Sequence, residues 1–434
     1  MDKNILRHIF FDHHHHWESF KNKHGKKIRP IVIKEVEKFR GCGDIKNGFK
    51  LFVCEGCHDV RRVPYRCKGR FCTTCSVGES EEWSRLLTED VLQVNHRHII
   101  FTIDEGLRDI FLLHRDLLKP LMNEAAKLIT DYFQKKCKVT PGIIAGLHTF
   151  GSRVNFNPHV HMLVTMGGIT KKGGWKEYNY IPFKMLRKQW QTVVLKFIRK
   201  HLNKQEKKRV QARLQKAFSK NGEGFYVHAP KQKGKIKEQL RYIGRYIRRP
   251  AIGINRIEGY DGHYVTFKYI DKVDGKEKLE TVTVEEFISR LIRHIPDEQF
   301  KTIRHYGMYS RRSKSLCKKV LMKWQEGTKR WIIKVRKTLR RQKWRERVVS
   351  CGGKDPLVCP HCENYYEYKG EVCLENGKLI IKVALTRQAE KYLERMIAYL
   401  TNIETPHKEK KTKERNGSLT QKENERQLCL FGVS

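Results

Sequence analysis

The chain has 434 residues, enough for two or three domains. Its 90 Lys and Arg against 47 Asp and Glu leave a net charge of +43, which repels itself unless a polyanion is a routine partner, and nucleic acid is the default polyanion. No apolar run reaches the roughly 18 residues of a membrane span, and the N-terminus has no signal-peptide pattern, so a cytoplasmic, nucleoid-associated protein with reduced cysteines is expected.

In chain order, residues 1–40 read as two helices, with Ile31, Val32, Val36 and Phe39 as an apolar stripe. His13 to His16 form a native-looking histidine run. Residues 41–80 are rich in Cys, Gly and Arg and lack helical period, so a metal must help hold them. Cys54-x-x-Cys57 and Cys72-x-x-Cys75 are two knuckles that together predict one tetrahedral structural Zn²⁺ site. Cys42 and Cys67 are left over; they join a second site, replace one ligand, or pack as small apolar side chains. Arg66, Lys68 and Arg70, interleaved with Tyr65 and Phe71, suit phosphate contact and base stacking, against the plainer reading of a solvated basic loop.

His98–Ile103 predicts a strand and Leu107–Lys136 a long helix. Ile143–Phe150 and His159–Met166 predict paired strands around the loop 151–158. Residues i and i+2 of a strand share a face, so His159 and His161 project together and offer half of a divalent-metal site. The competing reading is two polar residues on a wet strand face. His148 is the leading third ligand; Gln, Glu or water are its alternatives, and His98 is a weaker candidate that reads rather as structural.

Residues 183–220 predict basic helix, Phe225–His228 a short strand and Gln239–Arg249 a helix stopped by Pro250. Tyr242 and Tyr246 lie four apart on one face of that helix, among Arg241, Arg245, Arg248 and Arg249. Cations favour a phenolate and bind the phosphate it would attack, whereas the plainer reading is an aromatic pair packed on a core. Tyr264–Ile270 and Lys278–Val284 predict a hairpin around Asp274-Gly275, followed by a helix to Ile295. A basic helix is expected from about Ser313 to Val349, with Trp324, Trp331 and Trp344 as an aromatic seam that faces DNA or simply packs on the core, then a weaker cluster (Cys351, Cys359-Pro360-His361-Cys362, Cys373) that offers a second zinc knuckle with only one Cys-x-x-Cys, and a last helix near 385–401.

The ordered set of segments resembles the rolling-circle transposases of the IS91 family, within the superfamily of His-hydrophobe-His nucleases. It comprises the Cys42-to-Cys75 module, Arg97-His98-x-x-Phe101-Thr102, His148-Thr149-Phe150-Gly151, Asn157-Pro158-His159-Val160-His161, Tyr242-Ile243-Gly244-Arg245-Tyr246, Thr266-Phe267-x-Tyr269 and Arg304-His305-Tyr306-Gly307. The resemblance implies an α+β fold: a small N-terminal zinc module, a central antiparallel sheet flanked by helices, and a basic helical C-terminal region. The expected divisions are 1–92, 93–300, 301–404 and a charged disordered tail, 405–434. It further implies nicking and joining of single-stranded DNA at the ends of a mobile element through a 5′-phosphotyrosine, assisted by Mg²⁺ or Mn²⁺. Tyr242 and Tyr246 would be the nucleophiles, and His159, His161 and His148 the metal ligands. A plasmid replication initiator or relaxase would share this machinery, and a non-catalytic zinc-dependent DNA-binding regulator would need neither tyrosine. No Walker-type GxxxxGK[ST] occurs, so unwinding would fall to host helicase or replication factors.

Overall fold

A computed structural model describes residues 4–402 except 70, 230–237, 239, 242–243, 245–249, 272, 334–339 and 351–352. The chain forms two compact units that are discontinuous in sequence, one from 1–8, 41–66 and 354–434, the other from 9–40 and 67–353. This division differs from the four consecutive segments expected, because strand pairing joins residues about 41–66 to residues beyond 354.

In the first unit, β1 (Gly48–Cys54) pairs antiparallel with β2 (Val60–Pro64) and, on its other edge, with β12 (Tyr366–Glu375), which pairs with β13 (Lys378–Ala384). The sheet order is β13-β12-β1-β2. The helix Arg387–Asn402 lays Ala389, Leu393, Met396 and Leu400 on Phe49, Leu51 and Val372, burying the apolar stripe that a helix of this length needs. β12 and β13 were not anticipated from sequence: their residues alternate apolar and charged over a half-exposed sheet, a weak signal beside the cysteines. The expected tail, 405–434, lies outside the described residues.

The second unit is built on a larger antiparallel sheet. Its strands are β3 (His96–Phe101), β4 (Val139–Phe150), β5 (Phe156–Thr170), β6 (Trp175–Glu177), β7 (Val227–His228) and β11 (Ile303–Gly307). The order is β11-β4-β5-β3-β7, with β6 also on β5, so the His159/His161 strand is central. One face, with Val160, Met162 and Val164, packs on the helices Leu118–Cys137 and Phe183–His201. The opposite face, with Ile144 and Leu163, packs on Leu87 of the helix Thr73–Asp90, on Leu321 of the helix Arg311–Thr328 and on Leu240. Both faces being covered explains why β4 and β5 read as near-continuous apolar runs. A second sheet, β8 (Ile257–Tyr260), β9 (Tyr264–Ile270) and β10 (Glu277–Thr283), carries the expected hairpin, and Phe267 meets Phe287 of the helix Val284–Ile292.

Three expected elements differ in extent. Among the described residues, 4–40 form three α-helices rather than two, and the helix expected from Leu107 is broken into short turns before Leu118. The basic helix stops at Thr328, where Lys329 turns left-handed (φ +54°). The cause is local: buried Gln325 accepts from the amides of Ile332 and Ile333 (3.1 and 2.9 Å) and returns a bond to the Ile333 carbonyl, folding the chain back. Trp324 packs on the core, whereas Trp331, beyond the helix end, is exposed. Among the described residues no helix is long and apolar enough to cross a membrane.

Candidate functional site

The register of β4 on β5 sets His148 directly opposite His159, and β5's pleat puts His161 on the same face as His159. The ligand nitrogens of His148, His159 and His161 lie within 4.8 Å of one another. The rings crowd accordingly, with centroids 5.4 Å apart for His148 and His159, 4.3 Å for His148 and His161, and 4.7 Å for His159 and His161. His148 and His161 are buried, and His159 is half-buried at the cluster's edge.

Two neighbours fix ring orientation. His159 Nδ1 lies 2.7 Å from the Asn157 carbonyl, to which it donates as Nδ1–H, and this assigns Nε2 to any metal role. His161 Nδ1 is 2.9 Å from His98 Nε2 on β3. Burial, with the nearby His148, His159 and His98, holds the His161 imidazole well below its ordinary pKa. Burial, with His228 and His159, holds His98 at about 4. These imidazoles are therefore neutral near pH 7, the form that ligates metals. His98, the weaker candidate ligand, instead stands against His161, a contact that only the cross-strand register reveals.

Tyr242 and Tyr246 lie outside the described residues, as do Arg70, Arg245, Arg248 and Arg249. Their described neighbours Glu238, Leu240, Arg241 and Gly244 are helical. Leu240 is fully buried in the cluster that holds Leu163, two residues past His161 on the same strand face. Ser84 donates to the Arg241 carbonyl at 2.7 Å, and the exposed Arg241 guanidinium lies 3.8 Å from Glu81. A Cβ on Gly244 would meet Ser84 Oγ at 2.8 Å, so this stretch lies closely on the helix Thr73–Asp90. Arg66 and Lys68 are exposed, as phosphate contact requires.

The cysteines are distributed otherwise than their spacing predicts. Cys54 and Cys57 gather with Cys359 and Cys362 in the first unit, while Cys72 and Cys75 stand with Cys67 in the second, Cys67 and Cys75 having sulfurs 3.7 Å apart. Cys351 lies outside the described residues, and Cys373 sits on β12 beside Glu375. The reason is topological: the β1–β12 pairing, not proximity in sequence, decides which knuckles meet.

The described residues thus set a histidine triad on the middle strands of an antiparallel sheet, in a basic chain with cysteine clusters. The chain matches a family model described as "Putative transposase" over residues 142–316 and one described as "Transposase zinc-binding domain" over residues 12–103. It is 28% identical over 320 residues to the transposase for insertion sequence element IS801 of Pseudomonas savastanoi pv. phaseolicola, covering 70% of this chain and 75% of that protein. It is 25% identical over 346 residues to putative transposase y4qJ of Sinorhizobium fredii (strain NBRC 101917 / NGR234), covering 74% and 84%. No solved structure matches it. The chain belongs to the IS91 family of transposases, with a zinc-binding domain toward its N-terminus.

Proposed function

We propose that the chain moves its element by nicking and rejoining single-stranded DNA through a tyrosine, with His148, His159 and His161 holding a divalent cation. The observation that carries this reading is the convergence of three imidazoles on one sheet face, with Leu240, two residues before Tyr242, buried against that same face. The donor set fits such a cation: three nitrogens leave the remaining positions to phosphate oxygens and water, which suit Mg²⁺ or Mn²⁺. When bound, that cation would polarise the scissile phosphate.

The chain's own groups do the rest. His98 and the Asn157 carbonyl hold the imidazoles in register. The phenolate oxygen of Tyr242 or Tyr246 attacks phosphorus, the P–O3′ bond breaks, and the 3′ oxygen leaves with the electron pair, forming a 5′-phosphotyrosine. The phenolic proton passes to water, and the freed 3′ end is protonated. Rejoining reverses these steps with another 3′-hydroxyl. The +43 charge supplies salt-sensitive DNA binding, with Arg66, Lys68 and Arg241 at exposed positions and Arg70, Arg245, Arg248 and Arg249 as further candidates.

An inert DNA-binding regulator would have no use for three converging imidazoles, and the match to transposases disfavours a plasmid initiator. The test is incubation with single-stranded DNA from the element's end and Mg²⁺. A tyrosine-linked adduct on the new 5′ end is expected; nicking without an adduct would assign the chemistry to an activated water.

A further inference from the structure

Cys359-x-x-Cys362 lies far outside the matched zinc-binding model, yet it stands face to face with Cys54-x-x-Cys57. The Cys54 and Cys362 sulfurs are 3.4 Å apart, those of Cys57 and Cys359 3.6 Å, and all four lie within 4.8 Å of one another. A tetrahedron of thiolates at the zinc–sulfur distance of about 2.3 Å has edges of about 3.8 Å. The two knuckles share one backbone turn. The amide after the second cysteine, His58 or Glu363, donates to the carbonyl of the first, Cys54 or Cys359, at 3.1 and 3.0 Å. Both of those residues are left-handed, with φ +60° and +62°. The amide of the first cysteine donates one residue further on, to Asp59 or Asn364, at 2.9 and 2.8 Å. The next backbone N–H, of Asp59 or Asn364, is aimed at the second sulfur.

The same turn made twice, from unrelated residues, is what a shared tetrahedral ion demands of its two halves. The surroundings hold the pair together. Cys54 is opposite Tyr366 in the β1–β12 register, the Tyr366 hydroxyl donates to Asp59, and the Glu55 amide donates to the Tyr365 carbonyl at 3.3 Å. A Cβ on Gly56 would fall 2.1 Å from Asn364 Nδ2, so only glycine lets the knuckles approach this closely.

We infer that Cys54, Cys57, Cys359 and Cys362 bind one structural Zn²⁺, which staples two parts of the chain some 300 residues apart in sequence. The all-thiolate set selects a soft-tolerant tetrahedral ion over the hard cation suited to the histidines. Binding of this ion is coupled to folding of the first unit, because neither knuckle alone completes the shell. The inference stands independently of the tyrosine chemistry.

The test counts zinc in the purified full chain. Cys359→Ala/Cys362→Ala is expected to lose one equivalent per chain, Cys54→Ala/Cys57→Ala the same equivalent, and the quadruple variant no more than either. Retention of all zinc by Cys359→Ala/Cys362→Ala, or a quadruple variant that loses twice as much, overturns it. So does a Cys54→Ala/Cys57→Ala/Cys72→Ala/Cys75→Ala chain that loses no more than Cys54→Ala/Cys57→Ala while Cys72→Ala/Cys75→Ala alone loses that same equivalent. Should the alanine variants not fold, Cys362→His keeps a ligand. Loaded with Co²⁺, it should bind the same equivalents with a weakened thiolate charge-transfer band, and a spectrum identical to that of the unaltered chain overturns the assignment.

Discussion

Gly244→Ala adds one methyl between the two tyrosines and removes no chemical group. That methyl would stand 2.8 Å from Ser84 Oγ, 3.1 Å from Ser84 Cα and 3.2 Å from Leu87 Cδ2. A carbon–oxygen contact relaxes at about 3.4 Å, so the stretch must move off the helix Thr73–Asp90 by roughly 0.5 Å, and overpacking of this kind costs about 1–3 kcal/mol. In-line attack needs near-contact geometry, and a misplacement of about 1 Å costs on the order of 100-fold, so a drop in nicking of roughly tenfold or more is expected. Single-turnover nicking measures it, with DNA affinity unchanged within about twofold because binding is spread over many cations. Ser84→Ala alone loses the bond to the Arg241 carbonyl, about 1 kcal/mol, and in the double variant it relieves part of the clash, so the two changes should combine less than additively. Wild-type nicking and stability in Gly244→Ala would refute the reasoning that the docked stretch places the nucleophile.

His159→Ala and His161→Ala should each abolish metal-dependent nicking while leaving salt-sensitive DNA binding near wild type; filter binding across a salt series, beside a nicking gel, checks both. His294 is half-buried beside Phe156, with its ring nitrogens at the Thr149 hydroxyl and the Val154 carbonyl, and desolvation holds its pKa at about 4. Its folded pKa lies below the unfolded value of 6.5, so the folded state binds fewer protons: its stability is intact above 6.5 and falls as pH drops from 6.5 toward 4, by up to about 3 kcal/mol. In His294→Gln the difference between urea midpoints at pH 7 and pH 4.5 should shrink, and an unchanged difference would remove His294 as a source of acid sensitivity.

What was legible in the sequence was local. The i, i+2 spacing of His159 and His161 states a shared face, and short apolar runs around a loop place His148 on the neighbouring strand. What was not legible depended on pairing across long separations. His98 meets His161 only because β3 lies on the other edge of β5. Cys54 and Cys57 find Cys359 and Cys362 only because β12 pairs with β1, whereas spacing alone favours the nearer knuckle at Cys72 and Cys75. The end of the basic helix is written in one side chain, Gln325, whose capture of two amides leaves no periodic signature.

Peptide mapping by mass spectrometry of a trapped adduct looks for the tyrosine–DNA bond itself. A nucleotide is expected on the peptide holding Tyr242 or Tyr246, with the adduct lost in at least one of Tyr242→Phe and Tyr246→Phe and absent from the double variant. An adduct that persists in the double variant, or nicked DNA with free 5′ ends only, would contradict it.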